Sequence, residues 1–427
     1  MLNKFGLITL GVLSTLFFST QVAAQTSSSV YSALGIGEFN YSGLTHNQAM
    51  GGLGISYGTG WHANVVNPAL STRNTIFNFQ TAFNYKRNDV NNGQENSLVD
   101  GGGLSYLAVS LPFKPGKFTT GIGLGQITSV NYRLNVESQV TNSELTANNF
   151  LEGSGGISEA YLNFGWLVFK NFSIGAQASY LFGSTIRTNQ LLVLDAEDKE
   201  VGSGTEYFER LAVSDVGFKF GAHYQLKLSD KSNLHLGAIY QKFGDINGIG
   251  FAKLGAIGQA SDPDTDGDLI ANDVRGSIYI PDRYGFGLTY EKANKYAVGL
   301  ETQLQDFTQF KNFFGEELDL QQARKVGLGF QFVPDYLSFD SRFLRSTYRF
   351  GVEFKQTPYF FNQTQINDIG INFGTSIPVN QLSLINLSVQ VGQRGTLDNG
   401  LIRENYVNFT FGLSLNDNSW FYKRVFE

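Results

Sequence analysis

The 427-residue sequence has no cysteine, only 8 proline residues and few charged residues, and each shortage excludes a class of protein. Without cysteine, the chain has neither a disulfide framework nor an N-terminal cysteine that could carry a lipid. Asp and Glu outnumber Lys and Arg by 37 to 31 without any basic cluster, so no nucleic-acid partner is expected. No apolar run after residue 25 is long enough for a membrane helix.

The first residues have the pattern of a secretory signal peptide. Lys4 precedes the apolar stretch 6–18, and Val22, Ala23 and Ala24 form a small-residue cleavage site. We therefore expect residues 1–24 to be removed after export.

Glycine and aromatic residues are abundant, with 49 Gly, 37 Phe and 20 Tyr. Residues 172–180, 385–391 and 406–415 each alternate apolar side chains with small or polar ones, which is the pattern of a strand with one apolar face. Several such runs are about ten residues long, enough to cross a bilayer when tilted. The composition therefore predicts an all-β protein, a transmembrane antiparallel β-barrel whose apolar face contacts outer-membrane lipid.

Short turns and long polar segments alternate along residues 74–427. The short turns lie at 115–117, 170–171, 229–232, 292–294, 334–341 and 378–381. The longer segments lie at 87–101, 135–157, 187–206, 244–278, 307–323, 356–365 and 394–404. This asymmetry predicts about 14 strands, with periplasmic turns and extracellular loops. The C-terminal residues 419–427 are interpreted as an aromatic girdle and a signal for barrel insertion.

Residues 25–73 do not alternate and are rich in glycine and small polar residues. Glycines at 51, 52, 54, 58 and 60 would let this segment run close to a barrel wall, so it is predicted to be an N-terminal hatch inside the lumen. The alternative is a disordered leader, which the apolar residues Trp61, Val65 and Val66 disfavour.

Several short motifs resemble the FadL-like family of outer-membrane proteins. YSALGIG at 31–37, AMGG at 49–52 and the triplet Asn67, Pro68 and Ala69 resemble that family's N-terminal hatch. IPDRYGFGLTY at 280–290 resembles a late barrel strand, and WFYKR at 420–424 is similar to the ending of Bacteroidota members. The resemblance implies a fourteen-stranded outer-membrane barrel that takes up hydrophobic molecules, such as long-chain fatty acids, by passive diffusion.

The resemblance also suggests where a substrate would leave. Family members release substrate sideways at a kink in the third strand, and the matching segment 118–125 carries Gly121, Gly123 and Gly125 on one face. These glycines are a candidate lateral gate, because glycine weakens a strand; alternatively they make room for the hatch.

A second function stays open, because the same pattern includes PorV-like barrels that act as partners of other proteins. The chain is then either a channel for hydrophobic small molecules or a non-transporting barrel. In the second case it would bind partner outer-membrane proteins as a subunit of a secretion, assembly or uptake complex.

The sequence carries no recognisable catalytic motif. Its four histidines, His46, His62, His223 and His235, lie near neither a Gly-x-Ser-x-Gly elbow nor a His-Glu-x-x-His zinc motif. We interpret each as a hydrogen-bonding residue of the lumen or interface, and we do not expect an enzyme.

An aspartate-rich stretch, DPDTDGDLIAND at 262–273, has the spacing of a calcium loop. Gly267 takes the position of the tight turn, and the candidate ligands are Asp262, Asp264, Asp266, Asp268 and Asp273. Ca²⁺ prefers six to eight oxygen ligands, so a structural Ca²⁺ in the extracellular loop 244–278 is predicted. The alternative is an acidic surface loop without an ion.

Overall fold

Residues 29–315, 318–380 and 382–417 are described by the computed structural model. The predicted signal peptide, residues 1–24, and the aromatic segment 419–427 lie outside these described residues. Most of the described chain forms β-strands, which confirms the predicted all-β fold.

Eighteen antiparallel strands make up one sheet. They are β1 (Glu38–Phe39), β2 (Phe77–Asn91), β3 (Asn96–Lys114), β4 (Phe118–Gln126), β5 (Thr128–Gln139), β6 (Thr146–Phe169), β7 (Phe172–Leu194), β8 (Thr205–Lys227), β9 (Ser232–Lys242), β10 (Gly244–Ala256), β11 (Gly267–Ile280), β12 (Arg283–Lys292), β13 (Tyr296–Asp306), β14 (Gln322–Phe332), β15 (Thr347–Phe361), β16 (Thr364–Pro378), β17 (Ser383–Gly395) and β18 (Arg403–Asp417). β18 pairs with β2, so the sheet closes on itself.

In the described chain, the barrel wall contains fourteen strands, because three of them are each interrupted once and so count twice among the eighteen. The interruptions lie at Ile127, at Phe243 and at 281–282, so β4 and β5, β9 and β10, and β11 and β12 are halves of single strands. β1 belongs to the N-terminal segment and not to the wall. The predicted antiparallel barrel of about fourteen strands is therefore confirmed.

Helices are few and short. They are the 3-10 helices Val30–Ala33, Pro68–Arg73, Phe307–Gln309 and Asp398–Gly400, and the α-helices Thr45–Gln48 and Arg342–Arg345. Among the described residues, no helix has the length and apolar character needed to cross a membrane.

The two ends of the barrel differ in how the strands are connected. At the short-turn end the connections are 115–117, 170–171, 228–231, 293–295, 333–346 and 379–382. At the long-loop end they are 92–95, 140–145, 195–204, 257–266, 307–321, 362–363 and 396–402. The predicted turns therefore agree closely with the structure. The loops predicted at 87–101, 135–157, 187–206 and 356–365 were wrong in extent, because part of each polar sequence continues as paired strands beyond the apolar band.

The predicted loop 244–278 is also largely a β-hairpin. β10 pairs with both β8 and β11, whereas β11 pairs with β10 and makes one further bridge, between Tyr279 and Lys311. The outer edge of β11 is otherwise without a strand partner among the described residues. The strands of this hairpin could not be predicted from alternation, because glycine and aspartate residues interrupt the spacing of its apolar residues.

The outward faces of the wall strands carry exposed apolar side chains, and aromatic rings cluster at both edges of this band. Towards the long-loop end the rings of Tyr240 and Tyr284 lie 5.2 Å apart. Towards the short-turn end Phe332 and Tyr348 lie 5.5 Å apart, and Trp166 is exposed at the same end of β6. An apolar band between two aromatic girdles is typical of a membrane β-barrel.

Candidate functional site: the occluded lumen

The N-terminal segment, residues 29–76, lies inside the barrel. Its hydrogen-bond partners are on strands all round the wall, including β2, β8, β13, β16, β17 and β18. Ser29 lies near the long-loop end, where its N–H donates to Asn131 O at 3.1 Å. Asn74 lies near the short-turn end, so the segment runs the length of the lumen.

The predicted hatch triplet Asn67, Pro68 and Ala69 fixes one turn of this segment to the wall. Asn67 caps the helix Pro68–Arg73, because its side-chain oxygen accepts from Ala69 N at 3.0 Å. Its Nδ2 donates to Ile55 O within the segment and to Ala222 O on β8, at 2.6 and 3.1 Å. All three residues are buried.

A belt of wall glycines brings the segment's backbone into direct contact with the barrel. A Cβ added to Gly351 would lie 2.1 Å from Gly51 N, and one added to Gly237 would lie 2.0 Å from Ile55 O. The glycine belt consists of Gly165, Gly175, Gly221, Gly237, Gly287, Gly299, Gly327, Gly329 and Gly351, on eight neighbouring strands from β6 to β15. Six of them face backbone atoms of the segment, whereas Gly221, Gly287 and Gly299 face side chains. Many are paired across strands, as Gly299 is with Gly329 and Gly329 with Gly351. A side chain at these positions would push the segment off the wall.

Glu301 on β13 anchors the centre of the segment. Its carboxylate accepts hydrogen bonds from the backbone N–H groups of Gly54, Ile55 and Ser56 at 2.8 to 2.9 Å, and from the Ser56 hydroxyl at 2.9 Å. Three successive N–H groups converging on one buried carboxylate form a charge-assisted anchor.

A buried ion-pair network crosses the lumen nearer the long-loop end. Glu38 of the segment pairs with Arg394, which also binds Asp368 at 2.9 Å. On the neighbouring strands Glu353 accepts from Lys325 at 3.0 Å and from Lys355 at 2.7 Å. Although burial opposes it, the charges of Arg394 and Lys86 lower the pKa of Glu38 well below its usual value. The segment therefore carries a fixed negative charge that the wall neutralises.

The four histidines form two pairs, and three of them make hydrogen bonds as predicted, whereas the Nδ1 of His46 is buried without a hydrogen-bond partner in the described chain. In the segment the rings of His46 and His62 stack at 4.3 Å, and burial lowers the pKa of His62 to about 3. His62 Nε2 contacts Asn386 Oδ1 at 3.0 Å. In the wall, His223 contacts His235 at 3.1 Å, and His235 contacts Glu291 at 2.9 Å. Sequence reasoning missed Glu291, because only the strand register brings it beside His235.

The third wall strand is broken, but not at the predicted gate glycines. Gly121, Gly123 and Gly125 pair in register with Ser110, Ala108 and Tyr106 of β3. The break follows at Ile127, and β5 pairs with β6 and β1 but not with β3. Within the described chain, no strand covers residues 96–105 of β3 on that side, which leaves a lateral gap. The gap lies directly after the glycines.

Three neighbouring cavities surround residues 38–42, behind this gap. Their volumes are about 50, 100 and 80 Å³. The exposed lining of the first cavity is mainly apolar, although Lys355 and Arg394 contribute to it, whereas that of the second is mainly polar. The third combines apolar Leu44 and Ile127 with the cations Lys219 and Arg283. The luminal space beside the gap therefore contains a small apolar pocket next to more polar ones.

The aspartate-rich stretch forms the tip of the β10–β11 hairpin. Asp262, Asp264 and Asp266 lie in the turn, while Asp268 and Asp273 lie on β11, where Asp273 is 3.5 Å from Arg210. In the described part of the chain, no group of three or more carboxylates or histidines is close enough to hold a metal ion. The structure thus does not gather the five predicted ligands, and calcium binding stays a prediction.

A lysine already occupies the interior of this turn. The buried Lys253 donates through Nζ to Asp262 O, Thr265 O and Thr265 Oγ1 at 2.6 to 2.7 Å. We expect Lys253→Met to expose the turn 257–266, since three oxygens lose their shared donor. Limited proteolysis should then cut this turn at least tenfold faster.

If calcium also holds the turn, chelation will accelerate cleavage of the turn in the unmodified protein. An unchanged cleavage rate would show that calcium does not hold the turn.

The whole sequence, residues 1–427, matches the sequence model of a protein family described as BamG. No curated protein matches the chain.

Solved structures share the barrel fold at low sequence identity. The toluene transporter TodX of P. putida superposes with a TM-score of 0.57 at 16% identity, over 88% of this chain and 99% of that one. A FadL homologue of Pseudomonas aeruginosa gives 0.55 at 12%, over 90% and 99%. The toluene transporter TbuX of Ralstonia pickettii gives 0.53 at 14%, over 88% and 99%. The predicted FadL-like barrel is thereby confirmed as a fold, while the Bacteroidota and PorV-like details stay predictions.

Proposed function

This chain belongs to the BamG family, and from that premise and its occluded lumen we propose that it is a non-transporting outer-membrane barrel that binds partner proteins. It would act as a subunit of a secretion, assembly or uptake complex. The observation that carries the proposal is the backbone contact between residues 50–69 and the glycine belt. At six of the nine glycines the backbone of the segment lies directly against the wall, which leaves little room for a solute to pass there.

The long-loop end supports the same conclusion, because packed apolar side chains close it. One cluster joins Ile36 and Phe39 of the segment to Phe310, Phe313 and other residues of the wall and loops. A second cluster joins Tyr31 to Phe307 and Tyr359. Most of these side chains are buried against each other, so an apolar solute would have to displace a packed core to enter.

The β10–β11 hairpin offers a surface for a partner. Leu269, Ile270 and Val274 on β11 are 47, 59 and 50% exposed, and among the described residues the outer edge of β11 makes one bridge, between Tyr279 and Lys311. Exposed apolar edge strands pair readily with another chain, and soluble proteins usually cover them. By the rule that short turns face the periplasm, this hairpin is extracellular.

Transport of a hydrophobic molecule remains the second candidate, and the lateral gap favours it. The break at Ile127 opens the wall where residues 96–105 of β3 lack a partner, and cavities lie behind it. The solved neighbours include toluene transporters. The small volume of these cavities and the closed long-loop end weigh against passage of an apolar solute, although the lining of the first cavity is mainly apolar.

Crosslinking in native membranes tests the proposed function. We expect a lysine- or carboxylate-directed crosslinker to join this chain to a defined set of proteins identified by mass spectrometry. Ile270→Asp and Val274→Asp should reduce crosslinks to extracellular partners at least fivefold, since both charges would disrupt an apolar edge. The matched control is Val136→Asp, at an exposed apolar position on β5. Abundant bound lipid or hydrophobic compound without recurrent protein crosslinks would favour the channel instead.

A further inference from the structure

The short-turn end of the lumen opens into a vestibule of about 570 Å³. Its wall is made by the turns 293–295 and 333–346, by the ends of β12 and β15, and by residues 57–62 of the N-terminal segment. Small-molecule sites usually measure roughly 300–1,000 Å³, so this space is large enough for a small ligand or a few residues of a peptide. By the turn-length rule it faces the periplasm.

Positive charge dominates the vestibule. Five cationic side chains line it: Arg73, Lys292, Lys295, Arg345 and Arg349. The acidic residue in the lining is Glu291, which pairs with Arg73 at 3.7 Å and is also engaged by His235, by Asn233 and by Tyr57, which donates to it at 3.2 Å. Glu291 therefore cannot neutralise the other cations across the cavity.

Two of these arginines lack a counter-charge within the chain as described. Arg349 is only 5% exposed, and it donates to Gln331 Oε1 at 3.2 Å and to Ser376 Oγ at 2.6 Å, both neutral. Arg345 has a buried Nε without a hydrogen-bond partner. Among the residues that the structure describes, neither is ion-paired with a carboxylate. A buried guanidinium without an anion is costly, which indicates that an external anion completes the site.

The lining is also partly aromatic and apolar. Trp61 and Tyr336 are 37 and 43% exposed, and Val333 and Leu384 contribute aliphatic surface. Aromatic rings beside arginines suit a peptide, which presents apolar side chains and carboxylates along one chain. A lipid headgroup fits less well, because the vestibule lies inside the ring of wall strands and not on the apolar band.

We propose that this periplasmic vestibule binds an acidic peptide segment of a partner protein, with Arg345 and Arg349 as its carboxylate-binding residues. This inference rests on the proposed function and specifies that one partner protein presents an acidic peptide segment. It is separate from the extracellular β10–β11 surface. Because the charges are cationic and partly desolvated, binding should weaken as salt is raised.

Peptide binding to the purified full-length barrel tests this proposal. The probe is a fluorescein-labelled ten-residue peptide with four glutamates, compared with the same peptide carrying glutamines, and fluorescence anisotropy gives the dissociation constant. We expect the glutamate peptide to bind at least tenfold more tightly. Arg345→Gln combined with Lys295→Gln should remove most of that preference, since these two side chains are not buried and their loss leaves the wall intact.

Arg349→Gln should weaken peptide binding further. Because Arg349 is buried, this variant must also be shown to fold, which retained heat-modifiable electrophoretic migration of the barrel demonstrates. The matched control is Arg133→Gln, an exposed arginine at the opposite end, which should stay within twofold of the unmodified protein. Equal binding of both peptides, or binding of inorganic sulfate without the peptide, would overturn the proposal.

The two proposals fail in different ways. If crosslinked partners are unchanged in the Arg345→Gln, Lys295→Gln variant and the glutamate peptide does not bind, the vestibule proposal alone is wrong. If no partner is crosslinked in native membranes while the purified barrel still distinguishes the peptides, the proposed function alone is wrong.

Discussion

Glu301→Ala is expected to release residues 54–56 from the wall while leaving the barrel closed. The substitution removes the shared acceptor of three backbone N–H groups and of the Ser56 hydroxyl. Each buried donor left without a partner costs roughly 1–3 kcal/mol, so the segment should lose at least about 3 kcal/mol of docking free energy. Hydrogen exchange of the amides at 54–56, measured by mass spectrometry, should accelerate on the order of 100-fold.

A graded series separates this anchor from a general loss of stability. Glu301→Gln retains one acceptor oxygen but turns an NH₂ group towards N–H donors, so its effect should lie between the unmodified protein and the alanine variant. Glu137→Ala is the matched control, since Glu137 is exposed on β5. Exchange at 54–56 that does not change in Glu301→Ala would show that the carboxylate does not hold the segment.

Gly351→Ala is expected to displace the same segment by adding a side chain to the wall, and not by removing an anchor. The new Cβ would lie 2.1 Å from Gly51 N and 2.5 Å from Met50 C, and both are backbone atoms that cannot rotate away. Overpacking of this kind typically costs roughly 1–3 kcal/mol, and Gly351→Val should cost more. Urea titration of the refolded barrel, followed by tryptophan fluorescence and heat-modifiable migration, measures the free energy of unfolding.

Gly125→Ala supplies the control for this prediction. Gly125 also lies on a wall strand, but an added Cβ would meet nothing within 4 Å. Its free energy of unfolding should change by less than about 1 kcal/mol. If Gly351→Ala and Gly125→Ala behave alike, the glycine belt does not fix the N-terminal segment.

The alternation of apolar and polar residues was enough to predict the barrel, because in each wall strand the apolar residues lie on the face that meets lipid. Residues 406–415, for example, place Phe409 and Phe411 outward and Thr410 inward. The short turns were predicted equally well, since Pro115, Gly116 and other turn residues interrupt the alternation there. The extended polar ends of β2, β3, β15 and β16 were missed, because strands in water need no apolar face.

The contacts inside the lumen could not be predicted in the same way. Glu38 and Arg394 are separated by 356 positions and meet only because the barrel closes and the segment threads it. Glu301 likewise reaches Gly54 through the register of β13. The glycines of the third strand pair in register with β3, whereas the break in that strand falls at Ile127, where no glycine marks it.

The proposed function requires this barrel to work inside a protein complex. The decisive quantity is the mass of the particle that contains the chain, measured by native mass spectrometry after gentle solubilisation of native membranes. We expect a particle of fixed stoichiometry whose mass well exceeds the 47.1 kDa of the full-length chain. A free barrel of single-chain mass, carrying a bound hydrophobic compound, would contradict it.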